Sequence, residues 1–220
     1  YATYQDVDKT KGEQKGKRGA NEGRTKGKQR ATNNNVNNDN NVNNDNKLLI
    51  YTSDRISAFD YVFNDEVKGK GLLLTKMAKF WFNKTRHIVS NHIANGDLDL
   101  PSNVRDNCML VTKTKVLPIE AIVRGHLAGS AWNTYEATQK INGIPVTKEY
   151  KRYDKFDAPI FTPSTKAKLG DKDINISMKE MQNLIGKELT NSIQKISIEL
   201  FEFAYNFAKE KGVIIADTKF

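Results

Sequence analysis

Apolar and polar residues follow recognisable periods only from Lys47 onward. The run KLLIYTS, residues 47–53, has the short, hydrophobic, β-prone composition of a buried strand, and residues 54–63 predict a loop and a second extended run. From Leu72 onward apolar residues recur at helical spacing after the glycine-flanked Lys70, which predicts a helix. The side chains expected to pack in the core are those of Leu73, Met77, Phe80 and Trp81.

Extended structure is predicted for the middle of the chain. Two strands, Met109–Lys113 and Ile119–Arg124, are joined by a turn near Pro118. Residues 158–167, APIFTPSTKA, contain two prolines, and proline both fixes φ and lacks a backbone N–H group. These residues therefore exclude a helix and predict a stiff, extended loop.

Two helices and a last strand are predicted for the C-terminal part. Ser177 and Glu180 form a capping box that begins the first helix. The second helix runs from about Thr190 to Lys211 and stops at Gly212. Residues 213–216, VIIA, are expected to form a buried strand that carries Asp217 and Lys219 on one face at its far end. The predicted buried stripe of the second helix consists of Ile193, Ile196, Leu200, Phe201, Ala204, Phe207 and Ala208.

Early antiparallel hairpins followed by long helices are typical of an α+β protein. The strand-end positions of Arg124, Asp217 and Lys219 predict a polar cleft. We interpret residues 1–8 as the remnant of an N-terminal strand and residues 9–46 as a disordered insertion. Residues 47–116 and 117–220 are then expected to form two subdomains.

The basic charge of the chain is concentrated in one N-terminal segment. Lys9–Arg30 carries a net charge of +7 of the total +9, and residues 33–46 contain ten asparagines. Neither stretch has enough apolar area to offset the entropy of ordering. Such an arm could bind nucleic acid, but no aromatic residues are interleaved to stack on bases, so a solvated linker is favoured and nucleic acid is not expected as a partner.

Several classes of protein are excluded by the rest of the sequence. It contains no P-loop motif, no nucleophile elbow and no zinc-binding Cys/His spacing. It contains no apolar run of the roughly 20 residues that a membrane span needs, so no membrane association is expected. The single Cys108 excludes an internal disulfide and favours a reducing compartment. The remaining polar residues on turns and strand ends suit an anionic substrate: Asp54, Asp60, Lys70, Arg124, Ser130, Lys166, Asp217 and Lys219.

Five sequence blocks resemble the SAICAR synthetase family of purine biosynthesis, in order and over about Lys47 to Phe220. LPIEAIVRGHLAGSAW is the most specific of them, and GVIIADTKF contains the beginning of a second signature. The resemblance implies a SAICAR synthetase-like α+β fold, with an antiparallel N-terminal ATP-binding subdomain, an α/β substrate-binding subdomain and an ATP cleft between them. The other three blocks are SDRISAFD, GKGLLLTKMAKFWF and PIFTPSTKA.

The resemblance also implies a reaction, in which a cytoplasmic ligase joins the ribonucleotide CAIR to L-aspartate with ATP and Mg²⁺ through an acyl phosphate. In that case Arg124 and Ser130 bind anionic groups of the ribonucleotide. At the catalytic positions Lys219 neutralises phosphate charge, and Asp217 fixes either a polar substrate group or a metal-bound water. Lys70 is expected on the ATP side, and Glu120 either faces the adenine of ATP or forms a buried structural ion pair. The remaining substrate contacts are expected to be Asp54, Ser57, Asp60 and Lys166.

Two departures from the family pattern limit what the resemblance implies. The glycine- and lysine-containing hairpin over the ATP phosphates is reduced here to YATYQDVD, and the segment expected to hold magnesium lies beyond Phe220. We therefore name no metal ligand and expect this chain to be inactive alone. The alternatives are another ATP-dependent carboxylate-activating ligase, a kinase-like nucleotide-binding protein, or a scaffold for the basic arm. Self-association into a homo-oligomer is left open.

Overall fold

A computed structural model describes residues 46–58, 61–97, 100–146, 148–166 and 173–220. Contacts divide the described residues into two compact units. The first unit holds those up to Phe80 together with His92–Thr114, and the second holds Trp81–Asn91 together with those from Lys115 onward. The sequence had suggested a boundary at residues 116 and 117 and had grouped residues 81–91 with the first part. The remnant strand and the insertion interpreted at residues 1–45 lie outside the described residues.

The first unit contains two antiparallel strand pairs. β1 (Lys47–Tyr51) pairs with β4 (Cys108–Thr112), and β2 (Arg55–Ala58) pairs with β3 (Tyr61–Glu66). The helix α1 (Lys70–Thr85) follows β3, and the short α2 (Ser102–Arg105) precedes β4. The strands predicted near residues 47 and 109 and the helix predicted from Leu72 are therefore confirmed.

The buried face of α1 differs from the predicted one. Leu73, Met77 and Phe80 are 63%, 50% and 38% exposed, so the prediction that they pack in the core is wrong. The buried positions are Gly71 and Thr75. The reason is a close approach to backbone: a Cβ atom at Gly71 would lie 2.1 Å from the carbonyl oxygen of Thr52. Only glycine fits at position 71, so α1 packs against the backbone of Thr52 through this position and not through its large apolar residues.

The second unit combines short strands with helices. Its elements are β5 (Ile119–Glu120), β6 (Ile122–His126), α3 (Gly129–Thr138), β7 (Lys140–Ile141), β8 (Ile144–Pro145), β9 (Lys155–Phe161), β10 (Ser164–Thr165), α4 (Met178–Ile185), α5 (Lys187–Lys209) and β11 (Asp217–Lys219). The central sheet is antiparallel in the order β11–β6–β9, and β5 pairs with β10 in the same antiparallel sense. Together with the first unit this confirms the α+β class.

One face of the central sheet is apolar and covered by helices. Val123 on β6 and Phe161 on β9 are buried in one cluster with Met181 on α4 and Phe201 on α5. Gly125 permits this packing, because a Cβ atom there would lie 2.6 Å from the ring of Phe201. The residues of β6 that alternate with this cluster must face the other side of the sheet.

The ends of the two late helices follow the sequence signals closely. Ser177 and Glu180 form the predicted capping box at the start of α4. At the end of α5 the amide of Val213 donates to the carbonyl of Ala208, and Gly212 has a φ of +77°. This closure stops the helix near the predicted glycine.

The strand predicted at residues 213–216 is wrong. Within the described part of the chain these residues form no strand, and Val213 and Ile214 are 54% and 65% exposed. The amide of Val213 instead donates to the carbonyl of Ala208 at the end of α5. Pairing with β6 begins at Ala216, whose carbonyl accepts hydrogen bonds from the amides of Gly125 and His126. The strand β11 therefore consists of Asp217–Lys219, the residues that were expected to lie at the far end of a strand at residues 213–216. In the described residues, no helix is both long and apolar enough to cross a membrane.

Candidate functional site

The face of the central sheet opposite the apolar cluster is polar. Glu120 and Arg124 alternate with the buried residues of β5 and β6, and Asp217 lies directly across from Arg124 on the neighbouring strand β11. The extended segment of β9 and β10 adds two buried hydroxyl side chains at alternating positions. We call this surface the polar face and define it by Glu120, Arg124, Thr162, Ser164, Asp217 and Lys219.

Arg124 is buried and held by three side chains. Its Nε donates to Oγ1 of Thr162 at 3.1 Å, its Nη1 to Oδ2 of Asp217 at 3.1 Å and its Nη2 to Oγ of Ser130 at 3.4 Å. Burial lowers the pKa of Arg124, and the charge of Asp217 offsets part of that effect. A guanidinium does not lose its proton in a protein, so a cation of fixed orientation stands at the end of this face.

A second group of charges surrounds Glu120. The Nζ atom of Lys219 lies 2.5 Å from Oε2 of Glu120 and 3.5 Å from Oδ2 of Asp173, and Nζ of Lys166 lies 3.8 Å from Oε1 of Glu120. Burial acts to lower the pKa of Lys219, but the hydrogen bond and charge of Glu120, together with Asp173, outweigh it and raise the pKa. Lys219 is therefore a cation at neutral pH.

The two groups lie on the same side of the sheet. Asp217 and Lys219 are two residues apart on β11, so their side chains leave one face about 7 Å apart along the strand. Arg124, Ser130 and Asp217 thus come together at one end, and Glu120, Lys166 and Lys219 come together at the other. An anionic molecule on this face would meet cations at both ends.

The predicted site residues of the first unit make local structural contacts. The two carboxylate oxygens of Asp54 accept from the amides of Gly69 and Gly71 at 2.9 and 2.8 Å, which stabilises the start of α1. Nζ of Lys70 donates to the carbonyls of Ser53 and Arg55. Ser57 is exposed on β2. Their predicted ligand contacts, and the predicted ATP cleft, stay predictions, and Asp60 lies outside the described residues.

A comparison with protein families decides which of the candidate families applies. A model of the SAICAR synthetase family matches residues 27–220. The chain belongs to the SAICAR synthetase family. The match begins inside the basic segment and includes every predicted site residue.

Individual SAICAR synthetases resemble the chain in sequence and in fold. The phosphoribosylaminoimidazole-succinocarboxamide synthase of Leptothrix cholodnii is 44% identical over 180 residues, which cover 79% of this chain and 60% of the relative. The chain therefore spans about 60% of the length of such curated relatives. The structure of the SAICAR-synthase from Saccharomyces cerevisiae complexed with SAICAR superposes with a TM-score of 0.72 at 37% identity, covering 80% of this chain and 62% of that one. A SAICAR synthetase in complex with ADP, at 23% identity and a TM-score of 0.63 over 80% of this chain and 67% of its own, supports the fold alone.

Among the described residues, no group of three or more His, Cys, Asp or Glu side chains could hold a metal ion. The carboxylate of Asp217 is paired with Arg124. We therefore name no magnesium ligand and derive no step of the reaction through a metal.

Thr162 is a residue of the polar face that was not predicted from the sequence. It is buried on the polar face and accepts a hydrogen bond from Arg124. Thr162 and Lys166 lie four residues apart in an extended segment, and residues four apart on a strand share a face. This spacing predicts that Thr162 lies on the same face as Lys166. It was not used because the segment had been interpreted as a loop.

The contacts of Asp54 predict a pH-dependent stability. The backbone hydrogen bonds from Gly69 and Gly71 lower its pKa below 3.8. Its contribution is therefore fully present above pH 3.8 and is lost as the pH falls through the lower pKa of the folded state. We expect thermal melts of the wild type and of Asp54→Asn to differ in Tm at neutral pH and to converge well below pH 3.8. A difference in Tm that stays constant over that range would show that the carboxylate charge does not stabilise α1.

Proposed function

We propose that the protein acts in the SAICAR synthetase reaction, in which CAIR and L-aspartate are joined with ATP to give SAICAR, ADP and phosphate. The observation that carries the proposal is the polar face, where the anchored Arg124 and the paired Lys219 lie on one side of the central sheet. Membership of the family and the likeness to a yeast enzyme complexed with SAICAR support it. The complete activity remains a proposal, since the chain spans about 60% of the length of its curated relatives.

Arg124 is suited to hold an anionic group of CAIR. A guanidinium has five N–H donors, and the described residues take up three of them. The other two N–H donors are held in a fixed orientation, because rotation of the guanidinium would break its hydrogen bonds to Thr162, Asp217 and Ser130. Charged donors fixed in this way match the paired oxygens of a carboxylate or phosphate. Ser130, on the first turn of α3, would bind the same group through its hydroxyl.

Lys219 is suited to neutralise the charge that develops during phosphoryl transfer. In the proposed reaction a carboxylate oxygen of CAIR attacks the γ-phosphorus of ATP and displaces ADP, which gives an acyl phosphate. The aspartate amine then attacks the acyl carbon, displaces phosphate and loses a proton as the amide forms. The substrates supply the nucleophiles and the leaving group, so the protein contributes position and charge. Glu120 holds the Lys219 ammonium in place, and Lys166 adds a second cation nearby.

Three finer features belong to this proposal. We propose that ATP binds with Mg²⁺ as its counter-ion, that L-aspartate is the amine substrate and that the reaction takes place in the cytoplasm. A lone, buried Cys108 is compatible with a reducing compartment.

The test is phosphate release by the purified full-length protein with ATP and Mg²⁺, measured with CAIR and L-aspartate together and with each omitted in turn. We expect release only when both acids are present, accompanied by formation of SAICAR. Release with CAIR and a different amine would favour another carboxylate-activating ligase. Absence of any dependence on CAIR would reject the proposed function.

A further inference from the structure

We propose that Thr162 is a positioning residue that fixes the orientation of the Arg124 guanidinium for binding of the anionic nucleotide. This inference rests on the proposed function, because it concerns the same site. Thr162 is the partner of Nε, the nitrogen closest to the stem of the side chain. A bond at Nε restrains the plane of the whole group, whereas bonds at the terminal nitrogens restrain one edge each.

Thr162 is the most deeply buried of the three residues that hold Arg124. It is 3% exposed, whereas the side chain of Asp217 is 49% exposed and Ser130 lies at the solvent-exposed start of α3. Its amide donates to the carbonyl of Ile122 at 2.8 Å, and its branched β-carbon restricts rotation about χ1. The buried Pro163, which follows it, fixes the backbone further.

The chemistry of the hydroxyl also suits a positioning function. A threonine oxygen accepts the Nε–H bond without a negative charge, so it orients Arg124 and leaves the cation's charge available to a ligand. Asp217 both orients and partly neutralises the guanidinium. Loss of the Thr162 hydroxyl is therefore expected to weaken nucleotide binding without changing the net charge of the site.

The substitution Thr162→Val keeps the shape of the side chain and removes the acceptor, and Thr162→Ser keeps the acceptor. We expect Thr162→Val to raise the KM for CAIR about tenfold, the usual size of a lost hydrogen bond to a charged group, with little change in kcat or in the KM for ATP. Thr162→Ser should stay within about threefold of the wild type, because it retains the charged hydrogen bond. A KM for CAIR in Thr162→Val equal to that of the wild type would overturn the proposal.

Thr190 provides a matched control outside the polar face. It is buried on α5 in the same unit, and its hydroxyl donates to the carbonyl of Gly186 at 2.8 Å. We expect Thr190→Val to leave the KM for CAIR unchanged. An equal rise in both variants would mean that loss of any buried hydroxyl perturbs the fold, and the proposal would be wrong.

A spectroscopic measurement separates this inference from the proposed function. The ¹⁵N-bound Nε proton of Arg124, identified by its absence in Arg124→Lys, should exchange slowly with solvent in the wild type and in Thr162→Ser. It should shift and exchange faster in Thr162→Val. An unchanged signal in Thr162→Val would overturn the positioning function even if the enzyme is active. A full-length wild type that is inactive but shows the expected change in signal would reject the proposed function and leave the orientation of Arg124 by Thr162 established.

Discussion

Replacement of Arg124 by alanine is expected to weaken the binding of CAIR roughly 10- to 150-fold, as measured by isothermal titration calorimetry. This range corresponds to the loss of about 1.5–3 kcal/mol for hydrogen bonds between a charged group and its ligand. The effect is large because Arg124 is buried and held by Thr162, Asp217 and Ser130 before the ligand arrives. No entropy is then spent on ordering the side chain during binding.

Arg152→Ala is the matched control for this prediction. Arg152 is exposed and stacks on the ring of Tyr153 at 5.1 Å, so its removal deletes an arginine of the same unit that lies outside the polar face. We expect its affinity for CAIR to equal that of the wild type. An unchanged affinity in Arg124→Ala would remove Arg124 from the binding site, and an equal loss in both variants would indicate a general effect of positive charge.

The second large effect is expected at Lys219. The variant Lys219→Met should lower kcat on the order of 10²-fold, the usual cost of removing one group that stabilises developing negative charge, with a smaller effect on CAIR affinity. The measurement is steady-state phosphate release at saturating CAIR, ATP and L-aspartate. A matched control is Lys148→Met, which breaks an exposed ion pair with Asp157. Because exposed pairs contribute about 0–1 kcal/mol to stability, this variant should stay active.

Lys219→Met also leaves Glu120 without its nearest partner, so a loss of stability must be distinguished from a loss of chemistry. The side chain of Glu120 is 13% exposed, and breaking a largely buried ion pair destabilises a protein. The double variant Glu120→Gln, Lys219→Met removes both charges. We expect it to regain much of the lost Tm while kcat stays low. Recovery of kcat together with Tm would mean that Lys219 acts by stabilising the fold alone.

In the described residues, the ends of helices could be predicted from the sequence where a single residue type determines the local backbone conformation or hydrogen bonding. The capping box at Ser177 and the glycine stop at Gly212 are such cases, and both agree with the structure. The buried face of α1 could not be predicted from periodicity, because Gly71 approaches the backbone of Thr52 through a tertiary contact. The spacing of large apolar residues along α1 does not predict that Gly71 contacts the backbone of Thr52.

The elements of the polar face could be predicted only in part. Asp217 and Lys219 share a face because they alternate across Thr218, and this holds whether the strand is formed by residues 213–216 or by β11. The partners of these side chains depend on register, which pairs Asp217 with Arg124. Thr162 was missed because its segment had been interpreted as a loop, and its contact with Arg124 joins residues 38 apart in sequence.

The most direct test is a crystal structure of the protein with CAIR and a non-hydrolysable ATP analogue bound. We expect an anionic group of CAIR within about 3 Å of the terminal nitrogens of Arg124, and the phosphates of the nucleotide near the ammonium of Lys219. Both ligands bound away from the polar face, with Arg124 and Lys219 keeping only their protein partners, would contradict this interpretation of the site.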